Sequence, residues 1–95
     1  MDVEITEHLA RVAIDLRKRG DWATAIEVAA TSGVAGRTTR HHLTRLVKVG
    51  VVELVEAFPG HRYRWSTAPS EKCEAFVVKL DAVIGALGLE AEERR

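Results

Sequence analysis

The sequence predicts an α+β domain, mainly α, in the order helix, helix, helix, β-hairpin, helix. Three observations lead there. Apolar residues recur at three- and four-residue steps before position 50 and again after position 72, the period switches to two over 51–66, and Gly20, Gly33 and Gly50 stand where the first three helical segments stop.

Each element follows from its own residues. Ile5, Leu9, Val12, Ala13 and Leu16 form the stripe of a first helix, with Arg17, Lys18 and Arg19 in its last turn and Gly20 as its C-cap. Asp21-Trp22-Ala23 makes the connection. Thr24 followed by Glu27 is a capping box, and it opens a short second helix carrying Ile26, Val28, Ala29 and Ala30. That helix stops at Ser32-Gly33, where glycine suits the positive φ of a sharp interhelical turn, and Val34 is placed to plug the angle.

The third helix runs from Gly36 to Val49 and ends at Gly50. At about 100° per residue, Thr39, Leu43, Leu46, Val47 and Gly50 share one side; Arg37, His41, Thr44, Arg45 and Lys48 project the opposite way, with Arg40 and His42 flanking. Residues 51–66 then alternate as a hairpin with Pro59-Gly60 at its tip, consistent with a type II turn. Its returning strand puts Arg62 and Arg64 on one face and Tyr63 and Trp65 on the other. Ser70 is a good N-cap for the fourth helix and Glu71 suits its first turn. Cys73, Phe76, Val77, Leu80, Val83, Ile84 and Leu87 make a continuous apolar stripe along it, and Glu90 to Arg95 reads as a charged, frayed tail. The chain thus divides at about 1–67 for the three helices and hairpin and 68–95 for the last helix and tail.

A chain of 95 residues with 46% hydrophobic content supports one small core, and it is stabilised more easily if it also buries surface against a second copy. The apolar runs are too short to span a bilayer and the acidic start lacks the regions of a signal peptide, which points to a cytoplasmic protein without a membrane partner. One cysteine, Cys73, leaves neither a disulfide framework nor a zinc finger. There is no glycine-rich phosphate loop, no pair of carboxylates in an apolar setting and no nucleophile with a suitable base, so the sequence argues against an enzyme and implies no cofactor.

The formal net charge is zero, which argues mildly against a nucleic-acid partner. Its distribution argues the other way. Between Gly36 and Ser66, Arg37, Arg40, Arg45, Lys48, Arg62 and Arg64 face only Glu53 and Glu56, a net of +4 that gives the field a direction. A cationic helix face taken alone is an ordinary solvated face; the capped helix before it and the hairpin after it are what favour a phosphate-facing role.

With these residues in place, the sequence resembles the winged helix-turn-helix domains of prokaryotic transcription regulators, in particular the MarR, ArsR and IclR-like groups. The resemblance is carried by Ala29, Gly33-Val34, Thr38 to Leu43, Leu46, Gly50-Val51-Val52 and Arg62 to Trp65. Thr38, Arg40, Leu43, Leu46, Gly50 and Val51 fit the spacing of a recognition helix entering its wing. Two departures stand out: Ala35-Gly36 replaces the usual Ser or Thr cap, and His42 stands where an apolar side chain is common. The cysteine-rich motif of the ArsR metal sensors is absent.

The resemblance implies a sequence-specific regulator of double-stranded DNA, most simply a repressor, and the small core and the last apolar stripe suggest that it works as a homodimer. Arg37, Thr38, His41, Thr44 and Arg45 would meet base edges or phosphates, Arg40 and Lys48 the flanking backbone, and His61, Arg62 and Arg64 of the wing the adjacent minor groove or phosphates. The stripe from Cys73 to Leu87 would form the homodimer seam, the simpler alternative being that it packs on the first helix of its own chain. A winged-helix protein-interaction module without specific DNA binding is the competing function. His41, His42 and His61 do not suggest a metal site, since adjacent helical histidines point about 100° apart. Cys73 reads as a half-buried thiol rather than a redox sensor, and Trp22, Phe58, Tyr63 and Trp65 as packing rather than an effector pocket.

Overall fold

A computed structural model describes residues 4–67 and 73–89. Its elements are α1 (Glu7–Arg19), β1 (Ala23–Thr24), α2 (Ala25–Ser32), α3 (Gly36–Val49), β2 (Val52–Val55), β3 (Arg62–Trp65) and α4 (Glu74–Leu87). The mainly helical α+β reading holds, with one strand more than the sequence predicts. β1 lies in the connection after α1 and pairs antiparallel with β3, Ala23 opposite Tyr63 and Thr24 opposite Arg62, giving the sheet order β1-β3-β2.

The helix boundaries have local causes. Thr6 caps α1 by accepting from the Leu9 N–H at 3.2 Å, and Thr24 and Glu27 form the reciprocal capping box of α2, at 3.3 and 2.9 Å. Gly33, at φ 76°, ends α2 in the left-handed region and turns the chain so that Val34 is buried between α2 and α3. Gly50 ends α3 at φ 99°, a conformation that favours glycine, and a Cβ there would also crowd the Cys73 Sγ at 3.0 Å. α4 starts after Cys73, which makes no side-chain cap; Ser70, expected as the N-cap, Glu71 and the tail from Glu90 lie outside the described residues.

One core cluster joins the elements. Leu9, Val12, Ala13 and Leu16 of α1 meet Val28, Leu43 and Leu46 of α2 and α3, Val52 and Tyr63 of the sheet, and Leu80 and Ile84 of α4. Cys73, Leu80 and Ile84, expected at a dimer seam, are therefore buried within the chain, as an apolar stripe laid against α1 must be. Phe76 and Val77 pack partly on the same cluster, Val83 is half-buried and Leu87 is exposed. Arg17 ties three elements together: its guanidinium bonds Asp81 of α4 at 2.9 Å and lies 4.8 Å over the Trp65 ring of β3.

The hairpin tip departs from the expected type II turn. β2 and β3 pair from Val52–Trp65 to Val55–Arg62, which leaves residues 56–61 as the connection. The Phe58–Pro59 peptide bond is cis, and the Ala57 N–H donates to His61 Nδ1 at 3.3 Å across the base of the loop. Among the described residues, no helix is long and apolar enough to cross a membrane.

Candidate nucleic-acid interface

Helix α3 divides as its spacing requires. Thr39, Leu43 and Leu46 are buried against the core, while Arg37, Arg40, His41, Thr44 and Lys48 are exposed and Thr38 and Arg45 are half-exposed. Among the described residues, no ion pair or hydrogen bond engages the charged groups of Arg37, Arg40, Arg45 or Lys48, nor that of Arg62 on β3. Thr44 Oγ1 donates to the Arg40 carbonyl at 3.0 Å and keeps its acceptor lone pairs free. The structure therefore gathers seven of the sequence-selected residues onto one open helix face.

The start of α3 is uncapped, for the reason visible in the sequence. Ala35 offers no side-chain acceptor, and the first turn is instead fastened by Thr39, whose N–H donates to the Ala35 carbonyl at 2.8 Å and whose hydroxyl donates to the Val34 carbonyl at 3.1 Å. The leading N–H groups of the helix stay open beside Arg37, which is the local arrangement that suits an anion.

His42 is a buried polar residue on the inner edge of this helix. It is 6% exposed, and its Nδ1 has no hydrogen-bond partner. Burial, with smaller contributions from the positive fields of His41, His8 and Arg45, pushes its pKa below the ordinary histidine value. The His41 and His42 rings are 5.5 Å apart and tilted, and no group of three potential ligands among the described residues is placed to hold a metal.

The wing residues part company. Arg62 projects from the sheet and is exposed; His61 is exposed but uses Nδ1 to close the loop. Arg64 is held. Its Nε and Nη2 both donate to Glu53 Oε2, at 3.1 and 2.9 Å, and its guanidinium lies 4.5 Å from the Trp22 ring centroid. Glu53 and Arg64 are cross-strand partners, and the β1–β3 register brings Trp22 to the other side of Arg64, so an acid, a cation and an aromatic run in one row across the sheet. Sequence alternation identifies the face of Arg64 but not this row, because β1 is too short to show a period.

Phe58 was also missed. Expected to pack, it is 97% exposed at the tip of the wing, and Ile26 of α2 is 75% exposed. The signal available in the sequence is the run Ala57-Phe58-Pro59-Gly60, which has no polar side chain and falls outside the alternation of either strand.

Helix, glycine turn, helix and a hairpin packed behind them define a winged helix-turn-helix domain, here with a fourth helix built into the core. The fold is similar to that of solved MarR structures and of other proteins. The chain matches a cysteine-to-serine mutant of MarR from E. coli with a TM-score of 0.64 at 21% identity, over 97% of this chain and 67% of that one. It matches the same mutant complexed with operator DNA with a TM-score of 0.59 at 22% identity, over 86% of this chain and 57% of the other. The ST1889 protein of the thermoacidophilic archaeon Sulfolobus tokodaii matches with a TM-score of 0.63 at 21% identity, over 92% and 84% of the two chains. No protein-family model and no curated protein matches the chain.

Proposed function

We propose that this chain is a double-stranded DNA-binding transcription regulator that lays α3 in the major groove and its β2–β3 wing against the adjacent minor groove. The observation that carries the reading is the set of cations Arg37, Arg40, Arg45 and Lys48 on the open face of α3, unpaired among the described residues and continued by Arg62 on the wing. Cations already paired within a protein have little to offer a phosphate; the four on α3 form no ion pair among the described residues, and Arg62 feels only the field of Glu27, which is itself engaged in capping α2. The open N-terminus of α3 adds backbone donors at the same end as Arg37 and Thr38. The match to MarR complexed with operator DNA supports duplex DNA as the partner. Within the wing, Arg62 is the phosphate or minor-groove contact and His61 supports it, while Arg64 holds the wing's orientation through Glu53 and Trp22.

The proposed assembly is a homodimer in the cytoplasm, repressing by occupying a promoter. Since Cys73, Leu80 and Ile84 serve the chain's own core, the seam is assigned to the outer side of α4, where Ala75, Val78, Ala82 and Ala86 are exposed at three- and four-residue steps and small enough for two helices to approach closely. A two-fold pair would set two α3 helices about one DNA turn, roughly 34 Å, apart on a pseudo-palindromic site. Selection of bound fragments from random duplex DNA at two salt concentrations tests the reading. Recovery of a common inverted-repeat sequence is expected; fragments without sequence preference would overturn specific recognition, and no recovery at low salt would overturn DNA binding itself.

A further inference from the structure

The tip of the wing presents an apolar surface where the reading above expects phosphate and groove. Phe58 is 97% exposed, more than any other large hydrophobic residue among those described, and the neighbouring Ala57, Pro59 and Gly60 give it no polar company. The loop beneath is fastened, by the Ala57 N–H to His61 Nδ1 bond and by the buried Tyr63, so the ring is held out from a fixed base. Between this tip and the helices lies a groove of about 470 Å³, lined among others by Ile26, Arg40, Phe58, Pro59 and His61. Arg40 belongs to α3 and Phe58 to the wing. One concave surface therefore runs from α3 to the wing tip, with Arg40 at its α3 side and an aromatic ring at its end.

We propose that Phe58 is an apolar wedge that enters the minor groove and stacks into a base step, while the intervening DNA backbone lies in the groove over Arg40 and His61. The proposal rests on the DNA-binding reading and deepens it. Charge chooses the occupant. Arg40 lines the groove and carries the cationic face of α3 into it, and Arg62 stands exposed at the foot of the loop on β3; Glu27 of α2 lies within the field of Arg62 but is engaged by the Thr24 N–H at 2.9 Å, and Glu56 is the one acid on the loop. A cationic setting around an exposed ring matches a polyanion that offers flat apolar faces between its charges, which is what a partly unstacked base step is. A minor-groove wedge favours flexible pyrimidine–purine steps and bends the duplex away from itself.

The test uses the full chain and the duplex recovered by selection from random DNA. Phe58→Ala is expected to weaken binding about tenfold, in the range found for loss of one base–aromatic stack. Its salt slope should stay unchanged, because no phosphate contact is lost, and so should its thermal midpoint, because the side chain packs on nothing. Phe58→Leu should keep most of the affinity. With 2-aminopurine placed stepwise through the wing-facing half of the site, the wild type should brighten one position and Phe58→Ala none. Wild-type affinity in Phe58→Ala, or a shallower salt slope in that variant, overturns the wedge and leaves the DNA reading standing. A wild-type chain that binds no duplex overturns both. Loss of self-association in Phe58→Ala with DNA affinity intact assigns the tip to a protein contact and likewise overturns the wedge.

Discussion

Arg64→Ala separates a wing that is braced from a wing that reads. The guanidinium stacks 4.5 Å from the Trp22 ring centroid at a partly exposed site, an arrangement worth about 0.5–1 kcal/mol. Its ion pair with Glu53, at 2.9 Å between side chains that are 28% and 41% exposed, contributes roughly 0.2–1 kcal/mol after solvent screening. Removing both should lower the unfolding free energy by about 1–2 kcal/mol, measured by urea titration. In a domain this small, that corresponds to about 4–8 °C in Tm for each kcal/mol. The cycle with Glu53→Gln should give a coupling of about 0.5 kcal/mol or more, since the two side chains are in direct contact. DNA affinity should fall only modestly and the salt slope should hold, because Arg64 neutralises a carboxylate rather than a phosphate. The opposite pattern, stability unchanged within about 0.3 kcal/mol and the slope reduced by about one unit, would refute the reasoning and return Arg64 to the contact surface.

Arg40→Ala and Arg45→Ala should each weaken binding to the selected duplex with folding intact, and each lost phosphate contact should lower the salt slope by about one; unchanged affinity in both would remove α3 as the recognition helix. Because the fold depresses the pKa of His42, the unfolded chain binds the proton more tightly, so stability is fully present above the unfolded pKa near 6.5 and is lost as pH falls from there through the folded pKa. His42→Gln should flatten that part of the pH–stability curve, and an unaltered curve would show that His42 does not set it. Leu80→Ala, truncating a fully buried side chain of α4, should cost about 2–5 kcal/mol, whereas Val78→Glu on the outer side should leave Tm within a few degrees at concentrations where the chain is monomeric and abolish dimers in sedimentation. A Val78→Glu chain that still sediments as a dimer places the seam elsewhere.

What the sequence shows and what it hides differ in range. The α3 face was legible because fourteen residues between a turn and a capping glycine repeat their pattern for four turns, and periodicity over that length leaves one solution. The missing cap at Ala35 was equally legible, since capping is a matter of four adjacent residues. β1 was not, because two residues carry no period; with it went the row from Trp22 through Arg64 to Glu53, which exists only once Ala23 is paired with Tyr63. The stripe of α4 was legible as a side that avoids water, but Cys73, Leu80 and Ile84 find that cover in their own chain rather than in a second copy. Periodicity is silent on which chain covers a buried side. Phe58 escaped for a different reason: an aromatic in a hairpin is ordinarily packed, and its exposure depends on β2 ending at Val55 rather than continuing to the tip.

The place of α4 bears on how occupancy of DNA is tied to pairing. Cys73, at its head, donates from Sγ to the Val49 carbonyl at 3.3 Å and lies against Gly50, the residue at which α3 ends and the wing begins. Asp81, two turns on, holds Arg17, whose guanidinium also covers Trp65 on the returning strand of the wing. The start of α4 thus meets the α3–wing junction directly at Gly50 and the helix reaches the returning strand indirectly through Arg17, while its outer side carries the small apolar residues proposed for the second copy. On the proposed assembly, a partner packed on that side would restrain α4, and through Gly50 and Arg17 it would restrain α3 and the wing before any DNA is bound. Ordering those elements in advance removes a cost that binding would otherwise bear, so pairing and DNA occupancy should favour one another beyond the gain from two half-sites alone. Asp81→Asn tests this link, since it weakens the Arg17 bridge without touching the seam or the cationic face. The expected result is unchanged dimerisation in sedimentation with a weaker affinity for the selected duplex and an unchanged salt slope; wild-type affinity would show that α4 pairs the chains without bracing the wing.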